Sequence, residues 1–476
     1  MISITARWRR IADPARMTDI HATAYAHELA DIVAKYDGRA PRYTSYPTAL
    51  QFSPDVDENV YRGWLRDLPS RAPVSLYVHV PFCSRLCWYC GCNTRAVNRH
   101  EPVGEYVTLL CQEMSLLRDA LPDRMRVQSL HFGGGSPNML SLEDLERLFA
   151  ELDAAFALAP DCEVAVELDS TGLTRDWVRA MRRHGLNRAS LGVQNLDPAV
   201  QAAVNRLQSF EEIATAVGWL REVGVASVNL DLMYGLPHQT TANTLSTVEA
   251  ILRLKPERIA LFGYAHVPWM KAHQRLIDEG ALPWPAARLE QAEAAAERLA
   301  AEGYVRIGLD HFARGDDDMA KALAAGVLRR NFQGYTTDGA QTLLGVGASA
   351  IGRLPQGFVQ NVTQELGWRV AVQTGQLPIA RGVAVSAEDR FRAEIIERLM
   401  CDLSVDLGAV CERHGRPVAD LANAVTRLAP FLGDGLARLD GRRLEIVGAG
   451  RLVVRSVCAA FDTYFEPAAG RHSNAL

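Results

Sequence analysis

The chain has 476 residues, 48% hydrophobic and 22% charged, with a formal net charge of −5. Those proportions exclude a disordered chain, a collagen-like repeat and a small disulfide scaffold. The charge gives no basic footprint for nucleic acid or a membrane surface, and no apolar run nears the roughly 18–20 residues of a membrane span. In chain order, residues 1–35 carry Arg7, Arg9, Arg10 and Arg16 without the apolar core of a secretory signal. A disordered extension is expected there, on a protein of the reducing cytoplasm. Residues 36–73 hold turn residues and aromatics without a clear period and read as an ordered arm. From residue 74 onward, β-rich runs (74–80, 129–132, 163–168, 188–193, 225–232, 258–262, 305–309) alternate with amphipathic stretches (103–117, 142–156, 175–184, 211–223, 286–301). Such alternation predicts right-handed βαβ units and a parallel sheet. The fold class is thus α/β, with residues 74–380 forming the barrel and its extension. Residues 381–476 read as a mostly helical unit with a hairpin at 436–447 and a last helix at 451–461. That unit resembles a winged helix, but its 13 Arg, no Lys and 13 Asp plus Glu cancel, so a DNA-binding role is set aside.

Side chains alternate across a strand, so each run divides into two faces. In 74–80, Val74, Leu76, Val78 and Val80 oppose Ser75, Tyr77 and His79. In the later runs the polar face carries Glu167, Gln194 and Asp231, and Asp310 follows the last one. These groups gather at the C-terminal strand ends, where (β/α) barrels place their active sites. Unpaired charges in a dry interior would cost several kcal/mol, so the interior should hold something polar.

Four of the nine cysteines fall within ten residues: Cys83, Cys87, Cys90 and Cys92, spaced C-x3-C-x2-C-x-C. Cys111, Cys162, Cys401, Cys411 and Cys458 lie in apolar surroundings and read as packing residues. Structural zinc would want a second Cys/His pair, which does not follow at the usual spacing. A thiol–disulfide motif at Cys87 and Cys90 would leave Cys83 and Cys92 unexplained. An iron–sulfur cluster wrapped by one loop accounts best for the density of thiols.

The C-x3-C-x2-C loop after the first strand, with Tyr89 before its third cysteine, resembles the radical S-adenosylmethionine superfamily. Together, PRYTSYPTALQF, LYVHVPFCSRLCWYCGCN, HFGGGSPNML, GVQNLDPAVQAAVNR, NLDLMYGLPHQT, GLDHFAR and RNFQGYTT resemble the oxygen-independent coproporphyrinogen III oxidase family, from about residue 36 to 465. The resemblance implies a partial (β/α)6-type barrel, with Cys83, Cys87 and Cys90 holding a [4Fe–4S] cluster. It also implies two S-adenosylmethionine molecules. Tyr77, Gly134, Glu167 and Ile351 match contacts to the cluster-bound one. Tyr89, Gly135, Ser136, Gln194, Arg206, Asp231 and Ala265 match contacts to the second. Ser136 stands in place of the family's usual Thr, and Thr94 in place of a frequent Lys.

The implied reaction is oxidative decarboxylation of two propionates of coproporphyrinogen III, giving protoporphyrinogen IX without O2. Cys92 is expected to be catalytic rather than a cluster ligand. Arg42, Tyr43, Tyr46, Arg314 and Arg330 are the candidate substrate residues. The implied partners are the substrate and an electron donor such as flavodoxin or ferredoxin. No exposed apolar stripe or heptad is evident in the sequence, so a monomer is expected. The alternative is a haem chaperone or haem-modifying paralogue. The chaperones lack the fourth cysteine and the PRYTSYPT arm, both present in this chain.

Overall fold

The structure is a computed structural model, and it describes residues 31–32, 35–36 and 40–466. The expectation for residues 1–35 therefore lies almost wholly outside the described residues. Twelve strands form one sheet. They are β1 (Val74–Val80), β2 (Arg126–Gly134), β3 (Ala157–Leu168), β4 (Arg188–Gln194), β5 (Ser227–Tyr234), β6 (Arg258–Gly263), β7 (Tyr304–Ile307), β8 (His311–Arg314), β9 (Thr342–Val346), β10 (Ile351–Leu354), β11 (Gly357–Asn361) and β12 (Ile379–Ala384). Their spatial order is β12-β11-β10-β9-β1-β2-β3-β4-β5-β6-β8-β7, which does not close on itself. β1 to β6 run parallel in sequence order, and β9 joins β1 in parallel from the other side. The sheet is thus the open parallel array expected, extended at both edges by antiparallel strands.

The apolar faces behave as alternation predicts. Val74, Leu76, Val78 and Val80 are all fully buried under the crossover helices. Those helices are well started: Ser141, Ser209 and Thr240 each cap a helix, and the backbone N–H of each donates in return to the side chain three residues on. Capping of this kind contributes about 1 kcal/mol per helix.

One expectation is corrected. The run 305–309 is not a parallel strand. It forms the hairpin of β7 and β8, with β8 antiparallel to β6, because Gly308 takes a positive φ of 53° and turns the chain. β9 to β12 carry no strand expectation, since each is short and each holds a glycine at a close crossing (Gly345, Gly352, Gly357 and Gly382). A side chain at Gly357 or Gly382 would strike the facing strand's backbone, so these glycines serve close approach while weakening the periodic signal.

A second apolar core lies in the C-terminal region. It gathers Phe391, Ile395, Leu399, Val410, Leu444 and Val457 with Tyr36, Tyr43 and Tyr46 of the arm. The hairpin expected at 436–447 forms from Ala437–Asp440 and Arg443–Ile446, joined by Ser404–Asp406. The arm is anchored there: Tyr43 Oη donates to Asp462 at 3.0 Å and Tyr46 Oη lies 3.0 Å from Thr463 Oγ1.

Candidate active site

The loop after β1 carries the four clustered cysteines, and its backbone is held from several directions. Trp88 N–H donates to the Val204 carbonyl at 3.0 Å. Asn205 Nδ2 donates to the Leu86 carbonyl, Gln274 Nε2 to Tyr89, His273 Nε2 to Cys90 and Lys271 Nζ to Cys92, at 2.7–3.0 Å. His79 Nε2 donates to the Asn93 carbonyl at 3.0 Å. Each of three thiols also faces one donor or hydroxyl. Ser136 Oγ lies 3.6 Å from Cys83 Sγ, Arg206 Nη1 3.5 Å from Cys87 Sγ and Thr94 Oγ1 4.0 Å from Cys90 Sγ. The Cys92 thiol is the largest influence drawing Cys90 down to about 6, whereas burial pushes Cys83 up to about 11. Cys92 itself is exposed, and hydrogen bonding to Cys90 pushes its thiol well above its ordinary value.

The FGGGSP turn after β2 holds the cysteine loop from below. Gly135 N donates to Val80 O at 2.8 Å and Ser136 N to Phe82 O at 2.7 Å. Side chains at Gly134 and Gly135 would collide with His79 and with the Phe82 backbone. The protein's own packing therefore demands these glycines.

The polar strand faces meet over this turn. Tyr77 Oη bonds His79 Nδ1 at 2.9 Å and its ring stacks on His131 with centroids 5.8 Å apart. His131 Nε2 and the Gly134 amide both bond Glu167, each at 3.2 Å. Burial alone would push Glu167 up, but His131, that amide and His79 outweigh it and hold the carboxyl below its ordinary value. Its side chain is still 40% exposed. Because the group lies deep in the protein, that exposure is to an internal space. Asp231 accepts from Ser190 Oγ at 2.9 Å and from Asn229 Nδ2 at 2.6 Å, and burial raises it to about 6.

Arg206 is the hub of the next stretch. It donates to Gly192 O at 2.7 Å, Gln208 Oε1 at 3.0 Å and Asp169 Oδ2 at 3.3 Å, besides Cys87. Gln194, at the end of β4, takes a left-handed φ of 65°. Ala265 is tied to the cysteine loop because Gln274 Nε2 reaches both its carbonyl and that of Tyr89. Ile351 begins β10 and packs its carbonyl against Gly345 of β9.

Two cavities adjoin the arm. One of about 710 Å³ is lined by Tyr43, Tyr46, Arg329, Arg330 and Arg353 among others. The second, about 220 Å³, lies at the ends of β5 and β6 and is lined by Arg42, Tyr234, Ala265, Asp310, His311 and Arg330 among others. They share Thr44, Arg330 and Phe332. Arg314 does not belong to this set. It ends β8 beside the start of β6, where its amide bonds the Glu257 carbonyl, and it pairs with Asp316 at 3.2 Å while 45% exposed. That is the opposite end of the sheet from the cysteine loop, and the hairpin that replaced the expected parallel strand puts it there.

Comparison with known proteins adds an independent line. Residues 77–251 match the radical SAM superfamily and residues 385–453 the HemN C-terminal domain. The oxygen-independent coproporphyrinogen III oxidase of Bradyrhizobium diazoefficiens is 50% identical over 448 residues, covering 94% of this chain and 100% of the relative. That of Paracoccus denitrificans is 44% identical, covering 93% and 97%. The solved coproporphyrinogen III oxidase of Escherichia coli, described as a radical SAM enzyme, superposes with a TM-score of 0.86 at 37% identity, over 89% of this chain and 98% of that one.

The chain belongs to the oxygen-independent coproporphyrinogen III oxidase family. Membership implies a [4Fe–4S] cluster and S-adenosylmethionine, and the donor set fits both. Three thiols from one loop, each facing a donor or hydroxyl, suit a thiolate-bound cluster whose properties are tuned by hydrogen bonds to sulfur. The carboxylates of Glu167 and Asp231 facing the same space suit a cationic ligand. Sequence reasoning in the family's terms missed the residues that pin the loop carbonyls: Asn205, Lys271, His273 and Gln274. It also missed Asp169 and Gln208, which hold Arg206. Nothing in their spacing marks them, because each but Gln208, two residues from Arg206, acts through a contact far away in sequence. The one available signal was the run of polar residues ELDS ending β3.

Proposed function

We propose that this protein is a radical S-adenosylmethionine oxidoreductase that decarboxylates two propionates of coproporphyrinogen III to vinyl groups, giving protoporphyrinogen IX without O2. One observation carries the reading: a tricysteine loop pinned over carboxylate-bearing strand ends, with arginines facing the adjoining cavities. Cys83, Cys87 and Cys90 hold the cluster, and Cys92 stays free of it as a group able to pass a proton. Tyr77, Gly134, Glu167 and Ile351 surround one S-adenosylmethionine. Tyr89, Gly135, Ser136, Gln194, Arg206, Asp231 and Ala265 surround a second. When bound, cluster and cofactor supply a 5′-deoxyadenosyl radical able to take a hydrogen atom from the propionate carbon next to a pyrrole.

The chain's own residues bind and orient. Arg206, fixed by Asp169, Gln208 and the Gly192 carbonyl, keeps one Nη2 hydrogen for a carboxylate. Arg42 and Arg330 receive propionates. The rings of Tyr43 and Tyr46 wall the larger cavity, since their hydroxyls are already engaged with Asp462 and Thr463. The arm and C-terminal helices close over the strand ends and exclude water from reactive species. The reading extends to a monomer in the cytoplasm that draws electrons from a flavodoxin- or ferredoxin-type donor. Among the described residues no helix is long and apolar enough to cross a membrane.

The test is anaerobic incubation of reconstituted protein with S-adenosylmethionine, a low-potential reductant, an electron acceptor and coproporphyrinogen III. Protoporphyrinogen with about two 5′-deoxyadenosines per product is expected if each vinyl needs one cofactor cleavage. Stable haem binding without decarboxylation would replace this reading with the chaperone one.

A further inference from the structure

Asp310 is a carboxylate for which the fold itself has little use. It sits in the turn between β7 and β8, and its carbonyl accepts from Leu261 N at 2.7 Å, which fixes it beside β6. Its Oδ1 accepts from His311 Nδ1 at 2.8 Å. The second oxygen makes no hydrogen bond among the described residues. The side chain is 25% exposed, and it opens onto the 220 Å³ cavity at the strand ends. Its orientation is set with care. The His311 ring stands edge-on to Phe262 at 5.5 Å and to Tyr335 at 5.3 Å. Tyr335 in turn accepts from Leu309 N at 3.0 Å and donates to the Met400 carbonyl at 2.9 Å.

Two guanidiniums attend this carboxylate without pairing with it. Arg42 and Arg330 both line the cavity; burial would raise the Asp310 carboxyl, but the His311 bond, with smaller help from these two charges, holds it below its ordinary value, and neither arginine forms an ion pair with it. Arg330 lies over the Tyr335 ring, 4.4 Å from its centroid, and its Nε and Nη1 are buried without a partner. A site built for a bare anion would leave out the carboxylate, and a structural ion pair would close the gap. An acceptor and two cations held apart suit a ligand that offers N–H donors on one edge and carboxylates on the other. A propionate-bearing pyrrole is such a ligand, because its N–H and its β-substituents leave the ring on opposite sides.

We propose that Asp310, oriented by His311, accepts hydrogen bonds from the pyrrole N–H groups of the bound porphyrinogen, while Arg42 and Arg330 take propionates of the same rings. This rests on the coproporphyrinogen reading and adds a selection rule to it. A porphyrinogen presents four N–H donors and no acceptor nitrogen. The oxidised porphyrin keeps the same propionates but presents two acceptor nitrogens that repel a carboxylate. Asp310 therefore selects the reduced macrocycle, and a site that hydrogen-bonds an N–H discriminates strongly against an analogue lacking it.

The experiment measures anaerobic binding of coproporphyrinogen III and of coproporphyrin III to the cluster-loaded enzyme, for wild type, Asp310→Asn, Asp310→Glu and Arg330→Met. Wild type is expected to prefer the porphyrinogen. Asp310→Asn should lose about tenfold or more in porphyrinogen affinity and change little toward the porphyrin. Asp310→Glu should recover part of the preference, and Arg330→Met should weaken both ligands alike. Equal weakening of both ligands by Asp310→Asn, or a preference unchanged in it and in Asp310→Glu, overturns the assignment while wild-type turnover leaves the substrate reading standing. Wild type that binds neither tetrapyrrole overturns both.

Discussion

The cysteine-loop region and the cavity at the arm treat buried charge in opposite ways. Around the loop three charged side chains are matched by the protein itself: Glu167 by His131 and an amide, Asp231 by Ser190 and Asn229, Arg206 by Asp169. At the arm, Arg330 has buried nitrogens with no partner, and Arg42 has no ion pair among the described residues. A matched network is rigid before any ligand arrives, which suits permanent cofactors whose geometry must not drift. Unmatched cations leave their strongest interaction to a transient anionic ligand, whose arrival supplies the missing acceptors. The difference separates a scaffold that is complete alone from a receptor that its substrate completes.

The sharpest way to break this contrast is to remove one cysteine. Cys83→Ala, Cys87→Ala or Cys90→Ala should each abolish iron loading, visible absorbance and turnover. Cys92→Ser should keep iron and lose turnover. Iron lost from the Cys92 variant would make it part of the scaffold and erase its distinct role. Next in size is Arg206→Met. It strands Asp169, whose side chain is 10% exposed, and breaking a buried pair on one side costs about 3–5 kcal/mol. Denaturant unfolding of the variant beside wild type measures this, and a loss below about 1 kcal/mol would show that the network is not matched as described.

Glu113 probes the middle ground, a buried carboxylate matched by dipoles and not by a cation. It accepts from Gly347 N and Trp368 Nε1, both at 2.8 Å, and from Asn361 Nδ2 at 2.6 Å. Burial outweighs these bonds and raises its carboxyl from 4.5 to about 7. Folded Glu113 thus keeps its proton over a range where the unfolded chain has released it. The stability it contributes is full below about 4.5 and is lost as pH climbs to about 7, an effect of up to about 3 kcal/mol. Wild-type stability minus that of Glu113→Gln, followed from pH 4.5 to 7.5, should fall across that window. A flat difference would mean that the three donors hold the group ionised throughout.

The same contrast explains what the sequence made legible. β1 lies where alternation puts it, and the parallel strands with their crossover helices follow, because each is a local period backed by a buried face. The cysteine loop was legible because four thiols in ten residues have few physical explanations. What escaped was non-local. Asn205 and His273 touch the loop from 119 and 183 residues away, and no spacing rule marks such contacts. β10 to β12 escaped because glycine at their crossings weakens the alternating pattern, and Arg314 was misplaced when Gly308 turned a strand into a hairpin. Arg330 was named only through the family resemblance, since a guanidinium without a partner has no signature until its surroundings are folded.

That residue gives the smallest and most discriminating effect. Burial is the largest influence on the Arg330 charge and opposes it, but its neighbours together hold the group above its ordinary value. Tyr335, Cys401 and Cys458 would favour the charge only if ionised, and burial holds all three neutral at pH 7, with Cys401 raised to about 12. Asp310 is the one neighbour among these that is charged there. Arg330→Met removes a cation the fold does not satisfy and keeps apolar contact with Tyr335. Its unfolding free energy should stay within about 1 kcal/mol of wild type or exceed it, while tetrapyrrole affinity falls. Destabilisation on the scale of Arg206→Met would mean that Arg330 holds the fold together and that the two regions handle charge alike. An unchanged stability beside weakened binding would place its interaction energy in the complex, where a receptor residue holds it.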